Sequence, residues 1–324
     1  MLEVLIAGGA GFVGSYVSEL FAKQGHNIHV LDNKSNYSPI DNSIKNLNKK
    51  YLEKKRENVK HYHHISTLDH LELVKLFSDF SFDSIVHLAA MPLATVAIQR
   101  PALAYDVIST GTRNLLEAMR VTKSNARFIY VSSSMVYGDF LKEIAYESDP
   151  CYPKDIYGSF KYCGEIITQA YVQRYGVKAS IARPSAVYGP GDSNNRVIQS
   201  MATKALLHNK LTVVDPNTIS LDFTHVTDLA FILATLADPK VSIKPGEIFN
   251  VTRGKGRFLH EIVDIIKLEI PSVNVEIISN KEDFRPKRGT LSNTKVKNII
   301  GKHKFLNVEE KVPEYINYLR ETLL

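Results

Sequence analysis

Tyr157 and Lys161 stand four residues apart in Tyr157-Gly-Ser-Phe-Lys161, a spacing that puts both on one face of a helix. A phenol of pKa about 10 is roughly 0.1% ionised at neutral pH, so a tyrosine that moves protons needs its pKa lowered. An ammonium roughly 6 Å away, at an effective dielectric of about 20, is worth nearly 3 kcal/mol, or about two pKa units. The pair therefore reads as a proton-transferring tyrosine activated by a lysine. A second reactive stretch is Ser132-Ser-Ser134, at the end of an apolar run beginning near Ile129. Three hydroxyls at the carboxyl edge of a sheet would project into the crevice where ligands bind in open α/β folds.

The third element is Gly8-Gly-Ala-Gly11-Phe-Val-Gly14. Glycines at this spacing permit a tight turn, close approach of backbone to a pyrophosphate and close helix-to-strand packing, and the following helix N-terminus offers N–H donors. The next apolar strand ends at Asp32, where a carboxylate can accept bonds from ribose hydroxyls. Asp32 would repel a 2′-phosphate and Asn33-Lys34 offers no arginine fork, so NAD is expected rather than NADP.

These residues need strands to carry them and helices to orient them. Glu3–Ala7, Ile28–Leu31, Ser84–Leu88, Arg127–Ser132 and Ala179–Arg183 read as strands. Phe12–Lys23 reads as a helix with Val13, Val17, Leu20 and Phe21 on one side and Gly25 ending it. Asp155 stands where an N-cap belongs, ahead of a helical pattern running to about Tyr175. Strands alternating with helices imply right-handed crossovers and a parallel sheet covered on both faces. The expected fold class is therefore α/β, a Rossmann-type doubly wound sheet. After about Tyr188 the pattern is less regular, although Gly246–Val251 again looks like a strand. The division this suggests is a dinucleotide domain over 1–184 and 222–252, with a smaller, discontinuous α/β substrate domain over 185–221 and 253–324.

Composition narrows the function classes. The chain has 324 residues, 44% of them hydrophobic and 23% charged, enough to build a substantial core. Its apolar runs are too short and polar to cross a bilayer, and the N-terminus shows no secretory leader pattern. Cys151 and Cys163, the only two cysteines, suit neither a zinc site nor a disulfide framework. A soluble protein of the reducing cytoplasm is expected, without membrane or nucleic-acid partners. The net charge of +6 is spread among glutamates in its richest stretch, Lys49–Asn58, which reads as a solvated helix face. His61 and His63 alternate onto one face of a strand and His64 onto the other, and no metal is expected there for want of carboxylate and thiol partners.

Taken together, Gly8–Gly14, Asp32-Asn33, His87-Leu-Ala-Ala90, Ser132–Gly138, Tyr157-x-x-x-Lys161, Arg183-Pro-Ser-Ala-Val-Tyr-Gly-Pro190 and Asp222–Asp228 resemble the extended short-chain dehydrogenases of the nucleotide-sugar epimerase/dehydratase family. The motifs occur in family order over nearly the whole chain. The resemblance implies that Ser133 orients a sugar oxygen, Tyr157 moves its proton, and Lys161 tunes Tyr157 and holds the nicotinamide ribose. It implies NAD contacts at Gly8, Gly11, Phe12, Val13, Gly14, Asp32, Asn33, His64, Ile65, Leu88, Ala89, Ala90, Tyr157 and Lys161. Substrate contacts are implied at Ser134, Arg196 and Arg285, and the family implies a homodimer through the helix of Tyr157 and the one after Gly111.

Departures from the family pattern refine the expectation. Dehydratases of the family carry acid/base groups directly after the catalytic hydroxyl, and here Ser134 and Met135 stand there, which disfavours elimination of water. His64, Ile108, Ala186 and Leu221 replace an aspartate, two asparagines and an arginine of the common pattern, the last two weakening the grip on a diphosphate. Three functions are compatible with these residues. The first is a nucleotide-sugar 4-epimerase, placed ahead of the second, a net 4-dehydrogenase or 4-keto reductase. The third, a non-catalytic NAD-binding sensor or scaffold, ranks last because Tyr157 and Lys161 are both present.

Overall fold

The computed structural model describes residues 1–35, 37, 42–279 and 286–323, with the backbone alone described for 42–47. Its centre is a seven-stranded sheet of β1 (Glu3–Ala7), β2 (Asn27–Leu31), β3 (His61–His63), β4 (Ser84–His87), β5 (Arg127–Val131), β6 (Ala179–Arg183) and β7 (Ile248–Asn250). All pairs are parallel, in the spatial order β7-β6-β5-β4-β1-β2-β3. The order reverses between β1 and β4, so the crevice above that junction is the topological switch point where such sheets bind ligands. The five strands read from the first half of the sequence occur within one residue of their expected bounds, and the Gly246–Val251 strand is shorter, Ile248–Asn250.

Alternation along β1 shows why the sheet is buried on both sides. Val4 and Ile6 pack on one face against Val17 and Phe21 of helix α1 (Phe12–Lys23). Leu5 and Ala7 pack on the other against Leu73, Leu76, Leu115 and Met119, which lie on α3 (His70–Asp79) and α4 (Gly111–Val121); α2 spans Asn42–Lys55. Along α1 the buried stripe is rotated from the expected one. Phe12, Tyr16, Val17 and Phe21 are buried, whereas Val13 and Leu20 are only partly so. The helix packs against the sheet, against α2 and against the helix Val226–Ala237, and the stripe settles among them.

Helix α5 (Ile156–Tyr175) is capped as expected, Asp155 Oδ1 accepting from the Gly158 N–H at 2.8 Å, and Gly176 ends it at φ 69°. A separate core forms among α6 (Val197–His208), α8 (Leu259–Glu269) and α9 (Val308–Leu323), while α7 (Val226–Ala237) belongs to the sheet core. Short strand pairs stitch these parts together, including Ser220–Asp222 with Gly256–Phe258 and Lys210–Val214 with Asn274–Ile278. No helix of the described residues is long and apolar enough to cross a membrane.

Candidate active site

One continuous cleft of about 1620 Å³ runs over the carboxyl ends of the strands. At one end lies the glycine turn. Gly8 sits at φ 81°, and a Cβ there would come within 2.6 Å of the Ala89 nitrogen; one on Gly14 would come within 2.3 Å of the Gly8 carbonyl oxygen. The β1 turn is thus pressed against the β4 turn, and only glycine fits. No side chain caps α1 and no acidic residue occupies its first turn, so its first N–H groups remain available to an anion. Asp32, partly exposed at the end of β2, accepts from the Ala10 N–H at 3.0 Å through Oδ2 and from the Lys34 N–H at 2.7 Å through Oδ1. Asp32 also lines the cleft. Cradle, uncapped helix end and oriented carboxylate fit a dinucleotide.

Phe12, Val13, Asn33, Ile65, Leu88, Ala89 and Ala90 line this same cleft, with Gly11. His64 does not; it is exposed and lines an adjoining recess behind Asp32. Sequence reasoning missed a further residue of this end. Arg56, buried just after α2, donates through Nη1 to the Ala10 carbonyl at 3.0 Å and to Ser15 Oγ.

At the other end, Ser132, Ser133, Ser134, Tyr157, Lys161 and Arg196 line the cleft together. Two further backbone bonds, Ser132 N–H to the Ala182 carbonyl and Ser134 N–H to the Pro184 carbonyl, extend the β5–β6 ladder and fix the three serines. Ser132 and Ser134 are buried with hydroxyls that have no partner among the described residues, and Ser133 Oγ accepts from the Met135 N–H at 3.2 Å. Buried hydroxyls without partners are costly. These point to a polar ligand.

Lys161, 4% exposed, donates through Nζ to the Val131 carbonyl at 2.8 Å and lies 5.4 Å from the Tyr130 ring centre. Burial pushes its pKa down to about 7, against the opposing charge of Glu165. The tyrosine departs from the expected activation. Burial pushes the Tyr157 phenol up rather than down, and what pulls against that rise is the Arg196 guanidinium and a hydrogen bond from Ser133. A lysine counted as a full charge in a polarisable medium would have lowered it. Packing removes water from both groups, and desolvation outweighs their mutual interaction.

Two other features hold α5 in place. A Cβ on Gly164 would come within 2.2 Å of the Tyr130 hydroxyl, so this glycine lets the helix lie close on β5. Glu165 and Arg183 form a buried fork, Nε to Oε1 at 2.9 Å and Nη2 to Oε2 at 2.6 Å, that ties α5 to β6. Arg196 is paired with the fully buried Asp192 and lies 5.6 Å from the Phe12 ring centre. Arg285, the other arginine expected at the substrate, lies outside the described residues; its neighbours Pro286 and Arg288 line the cleft. Ala186 and Leu221 also line it, Ala186 at φ 35°, a left-handed position that tolerates asparagine better than alanine. Ile108 is buried within a wide helical turn, Asp106–Thr110, that runs into α4.

Fold and cleft together define the class, a dinucleotide-dependent enzyme of the extended short-chain dehydrogenase/reductase type. The family model of the NAD dependent epimerase/dehydratase family matches residues 4–252, and the chain belongs to that family. Its cofactor is accordingly NAD. UDP-glucuronate 4-epimerase of Thermodesulfobacterium geofontis (strain OPF15) is 26% identical over 324 residues, covering 98% of this chain and 96% of that protein. UDP-glucuronic acid decarboxylase 1 of Xenopus tropicalis is 26% identical over 337 residues, 99% of this chain and 73% of that one. In fold, the chain is similar to the crystal structure of UDP-glucuronic acid 4-epimerase from Bacillus cereus in complex with UDP-glucuronic acid and NAD, with a TM-score of 0.87 at 21% identity and 99% coverage of both chains.

Proposed function

We propose that this enzyme interconverts nucleotide-activated sugars epimeric at C4. The observation that carries the reading is the pair of residues directly after Ser133. Ser134 offers a buried hydroxyl and Met135 a thioether, so no carboxyl adjoins the reaction centre there to protonate a leaving hydroxyl. Among the described residues, three carboxylates line the cleft. Asp32 and Glu53 stand at the dinucleotide end, and Asp155 is held by the cap of α5. In this reading the 4-keto sugar keeps its water and is returned by hydride to either face.

In this reading Tyr157 removes the proton of the C4 hydroxyl and Ser133 holds that oxygen by a hydrogen bond. Lys161 keeps positive charge near the phenol and faces the ribose side of the cleft. NAD, when bound, supplies the hydride acceptor and, in the oxidised state, further positive charge. Arg196, fixed by Asp192, contributes a guanidinium for the substrate diphosphate. The full-length similarity to UDP-glucuronate 4-epimerase supports a uridine diphosphate sugar as the substrate class.

The second reading, net oxidation or reduction at C4, is favoured by one observation. The methyl of Ala186 and the side chain of Leu221 stand on the cleft wall and give a diphosphate no hydrogen bond. UDP-glucose and UDP-glucuronic acid deuterated at C4 separate the two. Epimerisation retains deuterium at C4 of the product with no lasting absorbance of reduced nicotinamide. Deuterated NADH formed in step with a 4-keto product would establish net dehydrogenation instead, and deuterium at C6 would show that a proton path for dehydration exists.

A further inference from the structure

Arg196 ends the loop 189–196 in extended backbone, immediately ahead of α6. Its guanidinium pairs with Asp192 and lies 5.6 Å from the ring centre of Phe12, the first residue of α1. It therefore stands where the dinucleotide and substrate ends of the cleft meet. A loop holds a binding group precisely only when other residues lock it.

Asn48, 1% exposed on α2, locks this one from behind. Its Nδ2 donates to the Asp192 carbonyl at 2.9 Å, and its Oδ1 accepts from the Tyr318 hydroxyl of α9 at 2.8 Å. One end of the amide thus holds the residue whose carboxylate grips Arg196, and the other holds a helix from the far end of the chain. The rest of the loop is seated on the same surface. The Tyr16 hydroxyl of α1 donates to the Pro190 carbonyl at 2.9 Å, and Gly191, at φ 90°, lies so near α2 that a Cβ would come within 2.6 Å of Leu52 Cδ2. Apolar packing of that kind is non-directional, whereas the amide selects one register of the loop. Asp192 is fully buried, and releasing Arg196 would strand its carboxylate, so guanidinium and loop move as one body. Just past its C-terminal end, α2 is followed by Arg56, which holds the Ala10 carbonyl of the glycine turn. The supports of the two ligands are therefore separate side chains along one stretch of chain.

We propose that Asn48 is a positioning residue for the substrate diphosphate. It does not line the cleft, and it acts by fixing the loop so that Arg196 meets the diphosphate in place. This rests on the assignment of Arg196 to the diphosphate given above.

The test is calorimetric titration of the NAD-loaded full chain with UDP, dTDP and GDP, the tightest of which is carried through the variants, beside titration of cofactor-free enzyme with NADH. Arg196→Gln should weaken the nucleoside diphosphate about tenfold or more, the worth of a charge-assisted bond. Asn48→Ala should weaken it about fivefold to tenfold and leave NADH within about twofold of wild type. General loosening of α2 would free Arg56 as well and weaken both ligands alike. In the Arg196→Gln background, Asn48→Ala should cost under about twofold more, because the group it positions is gone. Tyr318→Phe, which keeps the ring and removes only the hydroxyl, should repeat the pattern of Asn48→Ala at about two- to threefold. If Asn48→Ala does not fold, an unchanged nucleoside diphosphate affinity in Tyr318→Phe overturns the proposal. An unchanged affinity in Asn48→Ala, a loss shared by NADH, or a loss that adds in full to that of Arg196→Gln overturns it while leaving the role of Arg196 intact. Arg196→Gln without effect, or wild type that binds none of the three nucleotides, removes that role and the proposal with it.

Discussion

At the scale of single residues, the cleft separates groups that hold from groups that react. Tyr157 and Ser133 both line the wall of the cleft, and neither is needed to shape the glycine turn at its far end. Tyr157→Phe removes one hydroxyl and leaves the ring's packing intact. It should leave NAD affinity within about twofold of wild type and cut turnover by roughly 10²–10⁴, the usual worth of acid–base catalysis. Single-turnover rates with saturating substrate, set beside NAD titration, check both halves of the expectation. A variant with near wild-type rates would move the proton transfer to another group.

At the scale of elements, the reaction centre depends on how α5 is fastened. Its outer end is set by the Asp155 cap and its inner face by Gly164 lying on Tyr130, but the strongest tie is the fork between Glu165 and Arg183, both side chains 3% exposed. Arg183 also lies 4.7 Å from the Tyr137 ring centre, joining β6 to the segment after the three serines. Glu165→Ala would strand a buried guanidinium, which costs about 3–5 kcal/mol. Denaturant titration should show that loss. Glu165→Leu/Arg183→Met, which removes both charges, should recover much of it. A loss of under about 1 kcal/mol for the single variant would mean that water reaches Arg183.

At the scale of the whole molecule, Asp222 joins the sheet side of the chain to the parts that close over it. Its Oδ2 accepts from Thr252 Oγ1 at 3.0 Å, from the Gly254 N–H at 3.1 Å and from the Leu291 N–H at 3.2 Å, while Oδ1 is buried with no partner among the described residues. Burial pushes its pKa up to about 6 despite those bonds. The folded state therefore holds this proton more tightly than the unfolded chain does. The group's favourable contribution is full below the ordinary value of 3.8 and is lost as the pH rises through about 6. Asp222→Asn, with its amide oxygen in the place of Oδ2, does not titrate. The stability of this variant relative to wild type should rise between about pH 4 and pH 7. Denaturant midpoints across that range measure it; a constant difference would place the pH sensitivity elsewhere.

Much of the site was legible in the sequence because its determinants are local. Glycine spacing, the Asp155 cap, the i and i+4 relation of Tyr157 to Lys161 and the alternation of apolar runs each act over a few residues, and the backbone follows them. The family motifs, in their order along the chain, carried the rest of the assignment. What the sequence alone could not decide depends on residues far apart in the chain. Arg56 reaches Ala10 only because α2 folds back over the glycine turn, and Asp222 meets the Leu291 N–H only because the chain closes back over the sheet side. The stripe of α1 turned to meet the sheet and two helices at once, which no helical period reveals. Tyr157 and Lys161 departed from the arithmetic of an isolated charge pair because packing removed their water. Short-range geometry is written in residue types and spacing, whereas desolvation is a property of everything that packs around a group, and it exists only once the chain has folded.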